Sequence, residues 1–167
     1  MTREIYLAAG CFWGSQAFFK RMKGVISTEV GYANGNTANP AYQDLKQGRA
    51  THAETLKLVY DDEILSLAKI LSYYLAVIDP YALDHQGEDY GSQHRTGIYY
   101  TDEKDRAVIE RFLKKEEEKR GQGDFAIEVL PLKNYYRAED YHQDYLDKNP
   151  TGYCHVNLKL LKKEDSK

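Results

Sequence analysis

"EIYLAAGCFWGSQAFFKRM", residues 4–22, decides how the rest of the chain is read. Glu4 to Ala9 form a short apolar run with the character of a strand, and Gly10 ends it. From Phe12 the apolar period changes: Phe12, Ala17, Phe18, Phe19 and Met22 fall at helical spacing. A strand that turns through one glycine into a helix puts Cys11 at the helix start. Unpaired backbone N–H groups and the helix dipole favour an anion there, and such a position lowers a thiol pKa from its usual value of about 8.5. Gly10 allows an unusual backbone angle and the close approach of a ligand. These surroundings suit a nucleophile, and they suit equally a cysteine packed in a strand–helix corner. Phe12 and Trp13, being adjacent, point different ways on a helix. One or both can wall the thiol with apolar surface, and plain core packing accounts for them as well.

Outward from this corner, residues 24–33 read as a strand, and 34–50 ("NGNTANPAYQDLKQGRA") as a long Asn-, Gly- and Pro-rich loop. Loops of that length without structure of their own are usually functional or disordered. Residues 54–61 alternate with Leu56, Leu58 and Tyr60 on one face, as a half-buried strand does. Residues 63–78 carry Ile64, Leu67, Ala68 and Leu71 at helical spacing, and Asp79-Pro80 stops that helix. A second polar loop spans 81–95, and a strand 96–101. Thr101 is the expected N-cap of a charged helix over 102–120, which Gly121 ends. Residues 125–132 form the last expected strand; from about 133 to 167 the chain is expected to be irregular and mobile. The order strand-helix-strand-strand-helix-strand-helix-strand predicts a single α+β domain over 1–167, a mixed or mainly antiparallel sheet with helices against it.

Composition narrows the function classes. The 167 residues are 42% hydrophobic and 29% charged, with a net charge of −3. Nucleic-acid binding calls for a basic face that this balance does not supply. No apolar run approaches the ~18 residues of a membrane span, and the first residues lack the pattern of a secretory signal. A cytoplasmic protein is expected. The only cysteines are Cys11 and Cys154. In a reducing compartment they are two inert thiols or a redox pair rather than a structural disulfide, and counting alone favours inert thiols.

Spacing tests the possible cysteine chemistries. A phosphatase loop would need an arginine at position 17, which is Ala17, and a thioredoxin-type motif a cysteine at position 14, which is Gly14. No protease signature surrounds Cys11. Asp84, His85, Asp89 and His94 match no strong metal-ligand spacing, so no metal is expected.

The segment "GCFWG" (10–14) resembles the signature of the peptide methionine sulfoxide reductase A family. "GYANGNTANPAY" (31–42), "HAE" (52–54), "DP" (79–80), "GEDYGSQHRTGIYY" (87–100), "AEDYHQDYLDKNP" (138–150) and "GYC" (152–154) are similar to that family's other landmarks, in its order. The ordered set spans almost the whole chain and turns the reading of the cysteines to a redox pair. The resemblance implies a two-layer α+β sandwich related to ferredoxin-like folds. It implies Cys11 as nucleophile, Phe12 and Trp13 as walls for the substrate's ε-methyl group, and Glu54 as the acid for the sulfoxide oxygen. Tyr42 is implied as a hydrogen-bond donor to that oxygen, Asp89 as an acidic residue lining the substrate site, and Cys154 as the resolving cysteine. This sequence departs from the family at His94, where a second tyrosine is usual, and at Gln16, where many members have glutamate. It has no third cysteine for a further relay disulfide.

The implied reaction reduces the S epimer of methionine sulfoxide, free or in oxidised proteins, through a Cys11 sulfenic acid and a Cys11–Cys154 disulfide. Thioredoxin, or dithiothreitol in its place, would then reduce the disulfide, with no bound cofactor. The expected working unit is a monomer. Two other readings compete: a thiol peroxidase using the same two cysteines, and a noncatalytic module that grips methionine-containing peptides. Hydrogen peroxide as preferred substrate would mark the first, and binding that survives loss of both cysteines the second.

Overall fold

The computed structural model describes residues 1–167. A six-stranded mixed sheet runs in the order β7-β6-β1-β3-β2-β8. Its strands are β1 (Thr2–Ala9), β2 (Val25–Ala33), β3 (Ala53–Asp61), β6 (Thr96–Tyr100), β7 (Glu128–Pro131) and β8 (Tyr135–Arg137). The helices are α1 (Phe12–Phe19), α2 (Tyr42–Lys46), α3 (Leu67–Val77), α4 (Glu103–Arg120) and α5 (Tyr145–Lys148). A small hairpin pairs β4 (His85–Gln86) with β5 (Asp89–Tyr90).

The apolar run in β1 reflects its position between β3 and β6, where both faces are covered. Ile5, Leu7 and Ala9 join the main core with Leu56, Leu58, Val30 and the helices, while Tyr6 and Ala8 pack on the opposite face with Tyr99. Each fully buried leucine contributes about 1.5–3 kcal/mol relative to exposure, so a register slip that turned Leu56 and Leu58 outward would be strongly disfavoured. The register fixes Ile5 opposite Leu58 and Leu7 opposite Leu56, and it sets Glu54 opposite Tyr32. All pairings are antiparallel except β6 with β7. That parallel pair follows from a crossover through α4, since two parallel strands cannot be joined by a tight turn.

The expected element order holds, with local corrections. The 34–50 loop contains α2, whose first turn is fixed when the Ala41 N–H donates to Asp44. The helix expected over 63–78 is α3, which starts at Leu67 behind a Ser66 cap and leaves Ile64 exposed outside it. Asp102, not Thr101, caps α4 by accepting the Lys104 N–H. The 81–95 loop holds the β4–β5 hairpin and a 3-10 turn at Ser92–His94. The region expected to be irregular begins with a strand: β8 adds to the edge of β2, and the Tyr135 ring lies so close over Gly31 that a Cβ there would sit 2.5 Å from it.

Candidate active site

The β1–α1 corner forms as the spacing predicts. Gly10 turns the chain at φ +78°, and a Cβ on it would lie 2.8 Å from the Gln86 side chain. Cys11 takes the N-cap position of α1 and is only 7% exposed. The expected lowering of its pKa does not occur in this resting site. Burial, followed by the neighbouring Glu54 carboxyl, pushes the thiol up, and the Trp13 N–H pulls it down by less. The helix start is shared, because its Phe12 N–H donates to Glu54 Oε1 at 3.3 Å.

Glu54 enters from β3 and is 1% exposed. Its other oxygen, Oε2, accepts from Gln93 Nε2 at 3.4 Å and lies 3.8 Å from His94 Nδ1. Burial pushes Glu54 up to about 8, against the hydrogen bonds from Phe12 and Gln93 that favour the charged form. Burial thus favours the protonated carboxyl at neutral pH. Burial also lowers the His94 pKa, keeping the imidazole neutral with one N–H to give, and its Nδ1 has no hydrogen-bond partner. Tyr42 opens α2, and its backbone N–H donates to Glu139 Oε2 at 3.0 Å. Burial, then Glu54 and Cys11, push its hydroxyl up to about 12, so it remains a donor.

Phe12 and Trp13 converge on a residue to which the sequence reading gave no role. Trp13 Nε1 donates to His142 Nδ1 at 3.0 Å, and the Phe12 ring lies 5.1 Å from the same imidazole. The edge of Tyr42 meets His142 at 4.6 Å. Trp13 is also stacked on Tyr145, with centroids 3.7 Å apart and planes 9° from parallel. The result is an apolar, aromatic wall beside a buried thiol and a buried carboxyl.

Cys154 lies across the same corner. A Cβ on Gly14 would come within 3.2 Å of its sulfur, and the following His155 places Nε2 3.0 Å from the Ala9 carbonyl. Both cysteines are free thiols. Next to Cys154, Tyr153 donates its hydroxyl to Asp89 Oδ2 at 2.8 Å. The C-terminal segment is irregular but tied at both ends. Gln16 Oε1 accepts the Asp144 N–H at 2.9 Å, and Lys20 binds Asp144 at 2.8 Å and also Asp147. At the other end Asp165 accepts from Lys69 at 2.7 Å and from Tyr73 at 2.5 Å. Gln16 thus serves as an anchor for α5. The structure gathers Cys11, Phe12, Trp13, Tyr42, Glu54 and His94 around one corner, with Asp89 and Cys154 joined to it through the C-terminal segment. Gln93, Glu139, His142, Tyr145 and Tyr153 had gone without roles, although all five lie in quoted landmarks.

The sequence profile described as "Peptide methionine sulfoxide reductase" matches residues 3–167. The peptide methionine sulfoxide reductase MsrA of Lachnoclostridium phytofermentans is 52% identical over 156 residues, covering 93% of each chain. That of Clostridium acetobutylicum is 50% identical over 161 residues, covering 96% of this chain and 99% of the other. Among solved structures, reduced Mxr1 from Saccharomyces cerevisiae superposes with a TM-score of 0.86 at 31% identity, covering 93% of this chain and 91% of that one. Mxr1 solved in complex with Trx2 shares the fold, at TM-score 0.59 and 23% identity over 86% of this chain and 84% of that one. The fold, a buried cysteine beside a buried carboxyl, and these matches place the chain among the thiol-dependent oxidoreductases. The chain belongs to the peptide methionine sulfoxide reductase family, in its MsrA branch.

Proposed function

We propose that this chain reduces the S epimer of methionine sulfoxide, free or in oxidised proteins, through residues 1–167 acting as one reductase domain. The observation that carries the reading is the buried Glu54 carboxyl, hydrogen-bonded to the helix start that Cys11 caps; its burial raises its pKa to about 8. A sulfoxide sulfur is electrophilic, but its oxygen leaves only when protonated. Glu54 gives its proton to that oxygen as the Cys11 sulfur attacks, and the Glu54 carboxylate then takes up the proton of the Cys11 thiol. Tyr42 and neutral His94 donate hydrogen bonds to the oxygen as negative charge gathers on it. Phe12 and Trp13 exclude water and hold the methyl group, while Asp89 lines the substrate site.

The products are methionine and a Cys11 sulfenic acid: the sulfoxide is reduced by two electrons and the cysteine sulfur oxidised by two. The Cys154 thiol then attacks the sulfenic sulfur, releasing water and forming the Cys11–Cys154 disulfide. In this cycle the segment carrying Cys154, packed beside Gly14 of α1, moves aside for substrate and returns for that step. Thioredoxin is the assigned external reductant, with dithiothreitol as a laboratory substitute. The assignment draws on Mxr1, whose reduced form is 31% identical to this chain and which has also been solved in complex with Trx2. No helix is long and apolar enough to cross a membrane, and two free thiols at the site suit the reducing cytoplasm.

The test is single-turnover reduction of the separate S and R epimers by prereduced protein, with methionine counted and both cysteines followed by mass spectrometry. Methionine from S alone, appearing with a Cys11–Cys154 disulfide, is the expected result. No methionine from either epimer, with fast oxidation by hydrogen peroxide, would replace the reading with a thiol peroxidase.

A further inference from the structure

Arg95 follows the 3-10 turn that carries Gln93 and His94, and its side chain is 15% exposed. Nη1 donates to the Thr51 carbonyl at 2.9 Å and to the Ser92 carbonyl at 2.8 Å. Nη2 donates to the Asn34 carbonyl at 3.3 Å, and Nε to Glu128 Oε1 at 2.8 Å. Glu128 Oε1 also accepts the Tyr99 hydroxyl at 2.7 Å, so the ion partner is itself held by β6.

These carbonyls are not an arbitrary set. Thr51 leads directly into the start of β3 and Glu54. Ser92 immediately precedes Gln93, whose amide reaches Glu54 Oε2. Asn34 opens the loop that leads to Tyr42. A guanidinium is flat and rigid, with five N–H donors in a fixed fork, so bonding several carbonyls at once fixes their separations. A lysine, with one nitrogen on a flexible stem, cannot reproduce that geometry.

We infer that Arg95 is a positioning residue for the reduction, setting the spacing between the Glu54 acid and the Gln93 amide by tying together the backbone segments that carry them. The inference rests on the proposed reading of Glu54 as the acid. Its signature is a change in the acid's behaviour as well as in rate. The groups facing the Glu54 carboxyl are the Phe12 N–H, Gln93, His94, Asp89, Cys11, Tyr42 and, across the strand pair, Tyr32. The Gln93 hydrogen bond favours the charged carboxylate, so loosening it raises the pH at which Glu54 loses its proton.

The experiment compares wild type, Arg95→Lys, Gln93→Ala and the double variant, with thermal unfolding followed alongside. Arg95→Lys keeps the charge, so it isolates the geometry. The expected result is a single-turnover rate about 10- to 100-fold lower, KM changed far less than kcat, and the alkaline midpoint moved upward. The double variant is expected to be no slower than the slower single variant, because both act on one contact. Losses that multiply, or a wild-type rate and midpoint in Arg95→Lys, would overturn the inference. Should Arg95→Lys fail to fold, Glu128→Gln serves instead: it keeps Arg95 but removes the carboxylate that aims it, and a wild-type midpoint and rate there would count against the inference equally. The Glu54 midpoint can also be read without substrate, from the inflection in the pH dependence of Cys11 alkylation by iodoacetamide. A wild-type protein that makes no methionine therefore defeats the proposed activity while the alkylation series still decides this inference.

Discussion

Glu54 and Cys154 reach the same corner from different kinds of structure. Glu54 stands on β3, which is paired along both edges, to β1 and to β2, and its carboxyl's hydrogen-bond donors come from the start of α1 and from a turn tied down by Arg95. Cys154 lies between α5 and a 3-10 turn at Leu158–Leu160, in a stretch with no strand or helix of its own. Its sulfur touches only the Val156 carbonyl as a hydrogen-bond partner. The contrast matches two demands of the proposed reaction. Proton transfer to a developing oxyanion needs an acid fixed to a fraction of an ångström. Disulfide formation needs a second thiol that withdraws for substrate and returns afterwards.

Breaking the fixed side has the largest expected effect. Glu54→Gln keeps the shape and loses the proton, so the rate of methionine release should fall about 10²- to 10⁴-fold, measured in a single turnover. In the wild type the same rate should fall as pH rises through about 8, where Glu54, the proposed acid, loses its proton; in Glu54→Gln that alkaline limb should vanish. A limb that persists in the variant would move the acid role to another residue.

Breaking the moving side leaves the first chemistry intact. Cys154→Ser should release about one methionine per enzyme at the wild-type rate and then fail to recycle with thioredoxin. Sustained thioredoxin-supported turnover would remove Cys154 from its role.

Smaller effects sharpen the boundary between the two regions. Tyr145→Leu removes the ring stacked on Trp13, and a stacked pair contributes about 0.5–1.5 kcal/mol beyond its area. KM for the sulfoxide should rise roughly 2- to 10-fold, with kcat little changed in steady-state assays. Asp165→Asn weakens the distal tie to Lys69 and Tyr73. The first turnover should be unaffected, and disulfide formation, followed by mass spectrometry after quenching, should slow by about 2- to 5-fold.

The parts of the fold that could be read from sequence are those whose residues carry their own periodicity. Ile5 and Leu7, Leu56 and Leu58, and the charged run that Gly121 ends announce β1, β3 and α4 by local pattern alone. β8 was missed because "YYR" has no alternation to read; it is a strand because the edge of β2 accepts it. Asp102 caps α4 in preference to Thr101 because the helix starts one residue later than its charge pattern suggests. The site divides in the same way. Cys11, Glu54 and Cys154 stood out through motifs, whereas His142 matters because Trp13, 129 positions away, donates to it. Arg95 matters because of backbone carbonyls up to 61 positions distant. Contacts of that range leave no mark on local sequence.

The ties at Asp144 and Asp165 have a kinetic consequence. A chain fastened at both ends cannot carry Cys154 off into solution; it makes the second thiol a tethered reactant. Short flexible tethers give effective concentrations of millimolar order, and that supply is independent of how much enzyme or free thiol surrounds the molecule. In the proposed cycle the lifetime of the Cys11 sulfenic acid is then set by how fast Cys154 reaches it, and a fast return would protect the oxidised nucleophile from over-oxidation even in a dilute or thiol-poor solution.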